Sequence, residues 1–193
     1  MNDRMVYHSI QPPHTLTVLD GMAGIGGNTR YFAQSFGHVI ANEASSRRVT
    51  MLQNNMYNVY NYSKDKITVT NYDILEILER SVSLNRVFHV LFLDPEWGGE
   101  QYTQQSNITL SISSIPHDEK TSTSIHRNVP IHQVVQKAFR NYENHLSMVA
   151  LKLPKNIHQK THLTPLQKQF NVQTATISCS SIQFWIVTKK SSS

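Results

Sequence analysis

The sequence predicts an α/β fold built on a mostly parallel sheet. Three observations predict it. Short β-branched and apolar runs alternate with helical patterns four times between Leu16 and Gly99. A glycine-rich loop follows the first run and opens a helix. The fourth run ends without a spacer in Asp94-Pro95-Glu96-Trp97-Gly98-Gly99, as a buried strand does when it delivers side chains to a pocket at its carboxyl end. At 193 residues one domain is expected, over residues 15–190, preceded by an irregular polar arm of residues 1–14 broken by Pro12-Pro13.

Each element has its own signal. Thr15-Leu16-Thr17-Val18-Leu19, ending in Asp20, reads as a buried parallel strand. Asn28 or Thr29 is placed to cap the next helix, which carries Tyr31, Phe32 and Phe36 on one face and stops at Gly37. His38-Val39-Ile40-Ala41 is a second strand running into Asn42-Glu43. Ser45 or Ser46 caps a long helix over residues 47–60, with Val49, Leu52, Met56 and Val59 as its core-facing stripe. Ile67-Thr68-Val69-Thr70 is a third strand that exits through Asp73 into a short helix over 74–80. Residues 100–128 are rich in Ser, Thr, Gln and Asn, and predict a lid, a binding loop or disorder. Residues 130–145 return to a helical pattern, 146–153 form a fifth strand, and 157–169 read as helical despite Pro165. Residues 170–178 and 182–188 close the chain as an antiparallel pair.

Composition bounds the function. Residues 101–193 hold 10 of the 18 Lys and Arg but only 3 of the 13 Asp and Glu, so the second half favours an anionic partner such as RNA or DNA. Cys179 is the only cysteine, which excludes an internal disulfide and a cysteine-rich zinc site and suits a reducing compartment, nucleus or cytoplasm. No apolar run approaches the ~20 residues that span a bilayer. No structural metal and no membrane partner are expected, and a monomer is the expected state.

The chemistry-bearing residues fall into two groups. Gly21 to Gly27 lets the backbone turn sharply and approach a ligand. Glu43, about 20 residues on, sits where a strand-end acid binds both hydroxyls of a ribose, because a carboxylate accepts two hydrogen bonds from a diol. Asp94 and Glu96 offer carboxylates to amine donors, and Trp97 offers an aromatic face to a flat ring. Together they suggest methyl transfer to an exocyclic amine of a nucleobase.

These motifs resemble those of the trimethylguanosine synthase family, within the class I methyltransferase fold. Asp20-Gly21-Met22-Ala23-Gly24-Ile25-Gly26-Gly27-Asn28-Thr29 is similar to that family's first motif, and Val39-Ile40-Ala41-Asn42-Glu43 to its second strand. Asp94-Pro95-Glu96-Trp97-Gly98-Gly99 is similar to its Ser/Asp-Pro-Pro-Trp-Gly-Gly signature, with Glu96 in place of the second proline. Leu151 to Asn156 resembles the segment after its fifth strand. The resemblance implies a Rossmann-like, seven-stranded sheet with an antiparallel C-terminal pair. It implies S-adenosylmethionine as donor and the 2-amino group of 7-methylguanosine in an RNA cap as acceptor. Asp20, Gly24, Gly26, Asn28 and Thr29 would then hold the methionine part, Glu43 the ribose and Asp73 the adenine amine. Asp94, which also borders the donor, and the Pro95 carbonyl would orient the acceptor amine. Trp97 would stack on the base. At Glu96, where the chain departs from that pattern, the chemistry of a carboxylate suggests a reader of guanine's adjacent imino and amino donors, with a solvated turn residue as the alternative. Lys152, Lys155, Asn156 and Arg127 would meet the rest of the capped RNA. Two alternatives stay open: methylation of an internal RNA or DNA base amine, and an RNA-binding module without turnover.

Overall fold

A computed structural model describes residues 12–80, 87–113, 128–178 and 180–190. Arg127, Cys179 and residues 1–11 lie outside them. The first half runs β1 (Thr17–Asp20), α1 (Gly27–Ser35), β2 (His38–Asn42), α2 (Ser46–Gln53), β3 (Ile67–Thr70), α3 (Ile74–Arg80) and β4 (Val90–Leu93). The second half adds β5 (Ser111–Ser113), β6 (Asn128–Pro130), α4 (Ile131–Asn141), β7 (Met148–Pro154), α5 (Gln159–Gln169), β8 (Phe170–Thr176) and β9 (Ile182–Lys189).

A seven-stranded sheet has the order β3-β2-β1-β4-β7-β9-β8. The first five of these strands pair in parallel, and β7–β9 and β9–β8 pair antiparallel. This is the Rossmann-like class I methyltransferase arrangement. β1, β2 and β4 are buried along their whole length, which is why they read as unbroken apolar runs. Their side chains alternate between two cores. Leu19, Ile40, Leu91 and Leu93 pack with α3, α4 and α5, whereas Val18, Val39, Ala41 and Phe92 pack with α1 and α2.

Four local readings are corrected. α1 is capped by neither Asn28 nor Thr29: its N-cap is Gly26, in the left-handed region at φ 100°, because both side chains are engaged elsewhere. Ser45 does cap α2, accepting from the Arg48 amide at 3.4 Å. Beyond Gln53, however, the helix widens into a π-helical stretch, Asn54–Val59, closed by Tyr60 N–H onto the Asn55 carbonyl. The extra residue in that turn shifts the helical phase. Leu52 and Met56 stay buried, but Val59 turns outward and is 62% exposed. Finally, the polar segment after Glu100 contains ordered structure. Ile108, Leu110 and Ile112 are buried at alternate positions, β5 pairs antiparallel with β6, and Ile108 bridges Ile157. Residues 114–127 lie outside the described part.

α5 continues through Pro165 because Leu163 and Leu166 are buried on the sheet-facing side. His162 on the same helix is fully buried, and its Nε2 accepts the Leu110 amide at 3.1 Å. An accepting Nε2 leaves the proton on Nδ1, which faces His132 Nδ1 at 3.2 Å. Burial, then the neighbouring His132 and His158, lower the His162 pKa to about 4. In the unfolded chain it titrates near the ordinary histidine value of 6.5. Its contribution to stability is therefore complete above about pH 7 and is lost as pH falls from about 6.5 toward about 4. Urea unfolding at about pH 7 and about pH 5 should show that loss, and His162→Gln should reduce the difference between the two midpoints.

Candidate active site

The site forms where the strand order reverses. β1 lies between β2 and β4, so the loops leaving these strands diverge and open a crevice at their carboxyl ends. The crevice is a cavity of about 680 Å³. Gly24, Asn28, Glu43, Asp73, Asp94, Pro95, Glu96 and Lys152 all line it. The β5 segment, Ser111–Ser113, supplies part of its wall. A site of this size suits a small organic ligand, for which ~300–1,000 Å³ is usual.

Asp20 lies behind the glycine loop, fully buried at the end of β1. Its Oδ2 accepts the Thr29 hydroxyl at 2.6 Å, and its Oδ1 has no partner at hydrogen-bond geometry. Burial raises its carboxyl to about 7. Asp94 and Glu43 add to the rise, while the Thr29 hydroxyl and the Met22 amide oppose it. The loop itself depends on Gly26. A Cβ there would collide with Met56 Cε and lie 2.9 Å from Leu52 Cδ1. Asn55 Nδ2, from the π-helical stretch, donates to the Ile25 carbonyl at 2.9 Å and so ties the loop's tip to α2's continuation.

Glu43, at the end of β2, is only 4% exposed and is held by three donors. Gly24 N–H donates to Oε2 at 2.9 Å, and Ser45 N–H and Arg48 Nε donate to Oε1 at the same distance. Asp73 combines two positions. Its Oδ1 caps α3 by accepting the Leu75 amide at 2.7 Å, and the residue also lines the cavity.

Asp94 follows β4 directly. Its Oδ2 accepts from Asn28 Nδ2 at 3.2 Å and from Lys152 Nζ at 2.7 Å. The two signature motifs are therefore bonded to each other across β1 and β4. Glu96 is exposed, with Arg48 Nη1 at 3.2 Å from its Oε1. Trp97 is not part of the cavity wall. It is half-buried against the core, edge-on to Tyr102 at 5.2 Å between centroids. Lys155 and Asn156 also stand outside the lining. Lys155 is exposed, and Asn156 Nδ2 donates to the Tyr102 and Gln105 carbonyls at 2.7 Å, anchoring the chain after Gly99.

Sequence reasoning missed two residues. Arg48 spans from Glu43 to Glu96 and links the two halves of the cavity. Asn42 is buried, and its amide joins three segments: Nδ2 donates to the Gly21 and Tyr72 carbonyls, and Oδ1 accepts from Thr70 and the Tyr72 amide. A polar residue just before a strand-end acid was the available signal for Asn42. Nothing in the helical pattern distinguished Arg48 from Arg47. Among the described residues no cluster of His, Cys, Asp or Glu could hold a metal ion, and no helix is long and apolar enough to cross a membrane.

The sheet order, the glycine loop after β1 and the acid after β2 define the class I methyltransferase fold. Solved structures share this fold. The rRNA methylase of Streptococcus thermophilus superposes with a TM-score of 0.54 at 9% identity, covering 92% of this chain and 89% of that one. Human methyltransferase-like protein 13, in complex with SAH, superposes with a TM-score of 0.59 at 14% identity, covering 91% and 72%. Within that class, the model of the RNA cap guanine-N2 methyltransferase family matches residues 15–185, and the chain belongs to this family. Uncharacterized protein L320 of Acanthamoeba polyphaga mimivirus is 33% identical over 141 residues, which is 73% of this chain and 47% of that protein. The chain thus spans about half the length of this curated relative.

The glycine loop yields a ranked expectation. Gly24 and Gly26 both have positive φ, but only Gly26 is hemmed in by side chains. Gly24→Ala should lower unfolding stability by about 1–2 kcal/mol. Gly26→Ala should lower it by a further ~1–3 kcal/mol through overpacking against Leu52 and Met56. Equal midpoints in denaturant for the two variants would contradict this packing.

Proposed function

We propose that this protein methylates the 2-amino group of guanine in an RNA cap, with 7-methylguanosine as the capped nucleoside, as its likeness to trimethylguanosine synthases suggests. One observation carries the reading: Glu43 and the glycine loop share a cavity with Asp94-Pro95-Glu96, and Asn28 is hydrogen-bonded to Asp94. A donor site and an amine-orienting site are thereby contiguous.

The residues present fit the donor. A buried carboxylate with an orphaned oxygen, Asp20 Oδ1, suits a positively charged ligand, and Glu43 suits a diol. Bound S-adenosylmethionine supplies a methyl group already activated on a sulfonium. We assign Asp20, Gly24, Gly26, Asn28 and Thr29 to its methionine part, Glu43 to its ribose and Asp73 to its adenine.

The acceptor amine is conjugated with the guanine ring, so its lone pair is a weak nucleophile. Asn28 and Lys152 both occupy Asp94 Oδ2, which leaves Oδ1 to accept an amine N–H. The Pro95 carbonyl takes the other. Two such bonds favour the pyramidal nitrogen needed for attack, and removing one comparable interaction typically lowers kcat ~10²–10³-fold. Glu96 faces the guanine imino and amino donors, an edge that a carboxylate matches on guanine and not on adenine. Trp97, packed edge-on to Tyr102 outside the cavity wall, is given no part in holding the base. No dedicated base is required, because the product amine sheds its proton after transfer.

The test is mass spectrometry of a 7-methylguanosine cap dinucleotide after incubation with enzyme and donor. Added methyl mass on the cap guanine at N2 is expected, with kcat reduced ~10²-fold in Asp94→Asn. Methylation of internal guanines alone would replace this reading with the internal-base one. The donor site makes a separate prediction. The ionised form of Asp20, behind the glycine loop, adds a negative field that favours the donor's positive charge, and its carboxyl titrates near 7. Calorimetric affinity for S-adenosylmethionine should therefore rise from about pH 6 to about pH 8, and Asp20→Asn should flatten that dependence.

A further inference from the structure

Beside the crevice, α1 and the π-helical stretch Asn54–Val59 present a second surface. Gly27 and Asn28 line the crevice at the start of α1, and Asn28 is bonded to Asp94. Tyr31 follows them on the same helix face, one turn away from the crevice, and is 62% exposed. The π-helical turn brings a second ring to this surface. Tyr60 N–H closes that turn onto the Asn55 carbonyl, and its ring, in a residue 41% exposed, meets Arg30. The Arg30 guanidinium lies against both rings, 4.6 Å from the centroid of Tyr60 and 5.5 Å from that of Tyr31. Its Nη1 donates to the Tyr60 hydroxyl at 3.4 Å. Charge has one sign here. Residues 21–64 contain Arg30, Arg47, Arg48 and Lys64 but a single acid, Glu43, which is buried and paired with Arg48.

We propose that Arg30, Tyr31 and Tyr60 form a binding surface for single-stranded RNA, which holds the chain attached to the methylated nucleotide as it leaves the crevice. The inference rests on RNA as the substrate class, and holds for a cap guanine and for an internal one alike. Every base has a π-face, so exposed tyrosine rings accept bases of any sequence by stacking. Arg30 offers a phosphate the paired N–H donors of a guanidinium. Its contacts with both rings fix it beforehand, so it loses less freedom when a phosphate arrives. An anionic chain meets no exposed carboxylate on this stretch, and Arg47 and Lys64 extend the positive field. Other partners fit less well. An apolar protein face would strip water from the guanidinium without supplying an anion. A duplex keeps its bases stacked on one another and leaves the tyrosines unused.

The test is fluorescence anisotropy of a labelled, uncapped oligouridylate of about ten nucleotides, titrated with the full chain at several salt concentrations. The wild type should bind it. Tyr31→Ala should weaken binding about tenfold, whereas Tyr31→Phe, which keeps the ring, should stay within about twofold of the wild type. Arg30→Gln should weaken binding and lower the slope of log affinity against log salt by about 0.7, the contribution of one phosphate contact on a single strand. Arg140→Gln, which removes an exposed cation on α4, should change neither affinity nor slope. Absence of binding by the wild type would overturn the inference. So would equal weakening in Tyr31→Ala and Tyr31→Phe, or equal effects of Arg30→Gln and Arg140→Gln. Dimerisation in sedimentation that Tyr31→Ala abolishes, with RNA binding unchanged, would assign the surface to a second copy of the chain and overturn it as well. The oligouridylate carries no cap, so failure of the cap reading leaves this binding in place and the two failures are distinct. With capped substrates, Tyr31→Ala should raise KM about tenfold for a capped oligonucleotide and leave that of the cap dinucleotide within about twofold. An equal rise for both would overturn the inference.

Discussion

Asp20, Glu43 and Asp94 leave the ends of three adjacent parallel strands and converge on one crevice. Three carboxylates this close in a poorly solvated space repel each other and each loses hydration, so each needs its own compensation. The structure supplies three different kinds. Asp20, fully buried, takes a short hydroxyl bond from Thr29 and is held in its protonated form up to about pH 7. Glu43 remains compatible with burial through two backbone amides and the Arg48 guanidinium. Asp94 is bonded by Lys152 and Asn28.

Much of the local architecture serves these compensations. Thr29 and Asn28 reach Asp20 and Asp94 only because α1 starts at Gly26 with a left-handed turn instead of a side-chain cap. Gly26 keeps that conformation because Leu52 and Met56 close over it. The π-helical stretch that places Asn55 against Ile25 secures the same loop from the other side. Packing beneath the loop and charge compensation above it are therefore one construction. A change at Leu52 or Met56 acts on the glycine loop without touching the crevice.

The Asp94 side of the crevice is built differently. It follows a short strand, Val90–Leu93, and is braced from outside the parallel repeat. Lys152 arrives from β7, Arg48 from α2 and the Ser111–Ser113 wall from the small second sheet. Asn156 anchors the segment after Gly99 through the Tyr102 and Gln105 carbonyls. The electrostatic character of this half is thus set by residues far from Asp94 in the chain.

The sheet, its strands, the glycine loop and the strand-end acids were legible from the sequence because they are local patterns. Buried parallel strands are continuous apolar runs, a glycine loop between strand and helix has few other uses, and a strand-end acid such as Glu43 falls at a characteristic spacing. The β5–β6 pair was obscured because Ile108, Leu110 and Ile112 are diluted by polar neighbours, and only their alternation marks them. Val59 was misplaced because its periodicity assumes 3.6 residues per turn, and the π-helical turn breaks that phase. By itself, then, the sequence determined the fold class, the acids at the strand ends and the glycines of the loop, since each follows from backbone conformation or from burial along a single strand. The tertiary structure alone decided which cation meets which acid. Lys152, Lys155 and Arg48 are chemically plausible partners for any anion, and only the order of strands around β1 brings Lys152 onto Asp94 and Arg48 between Glu43 and Glu96.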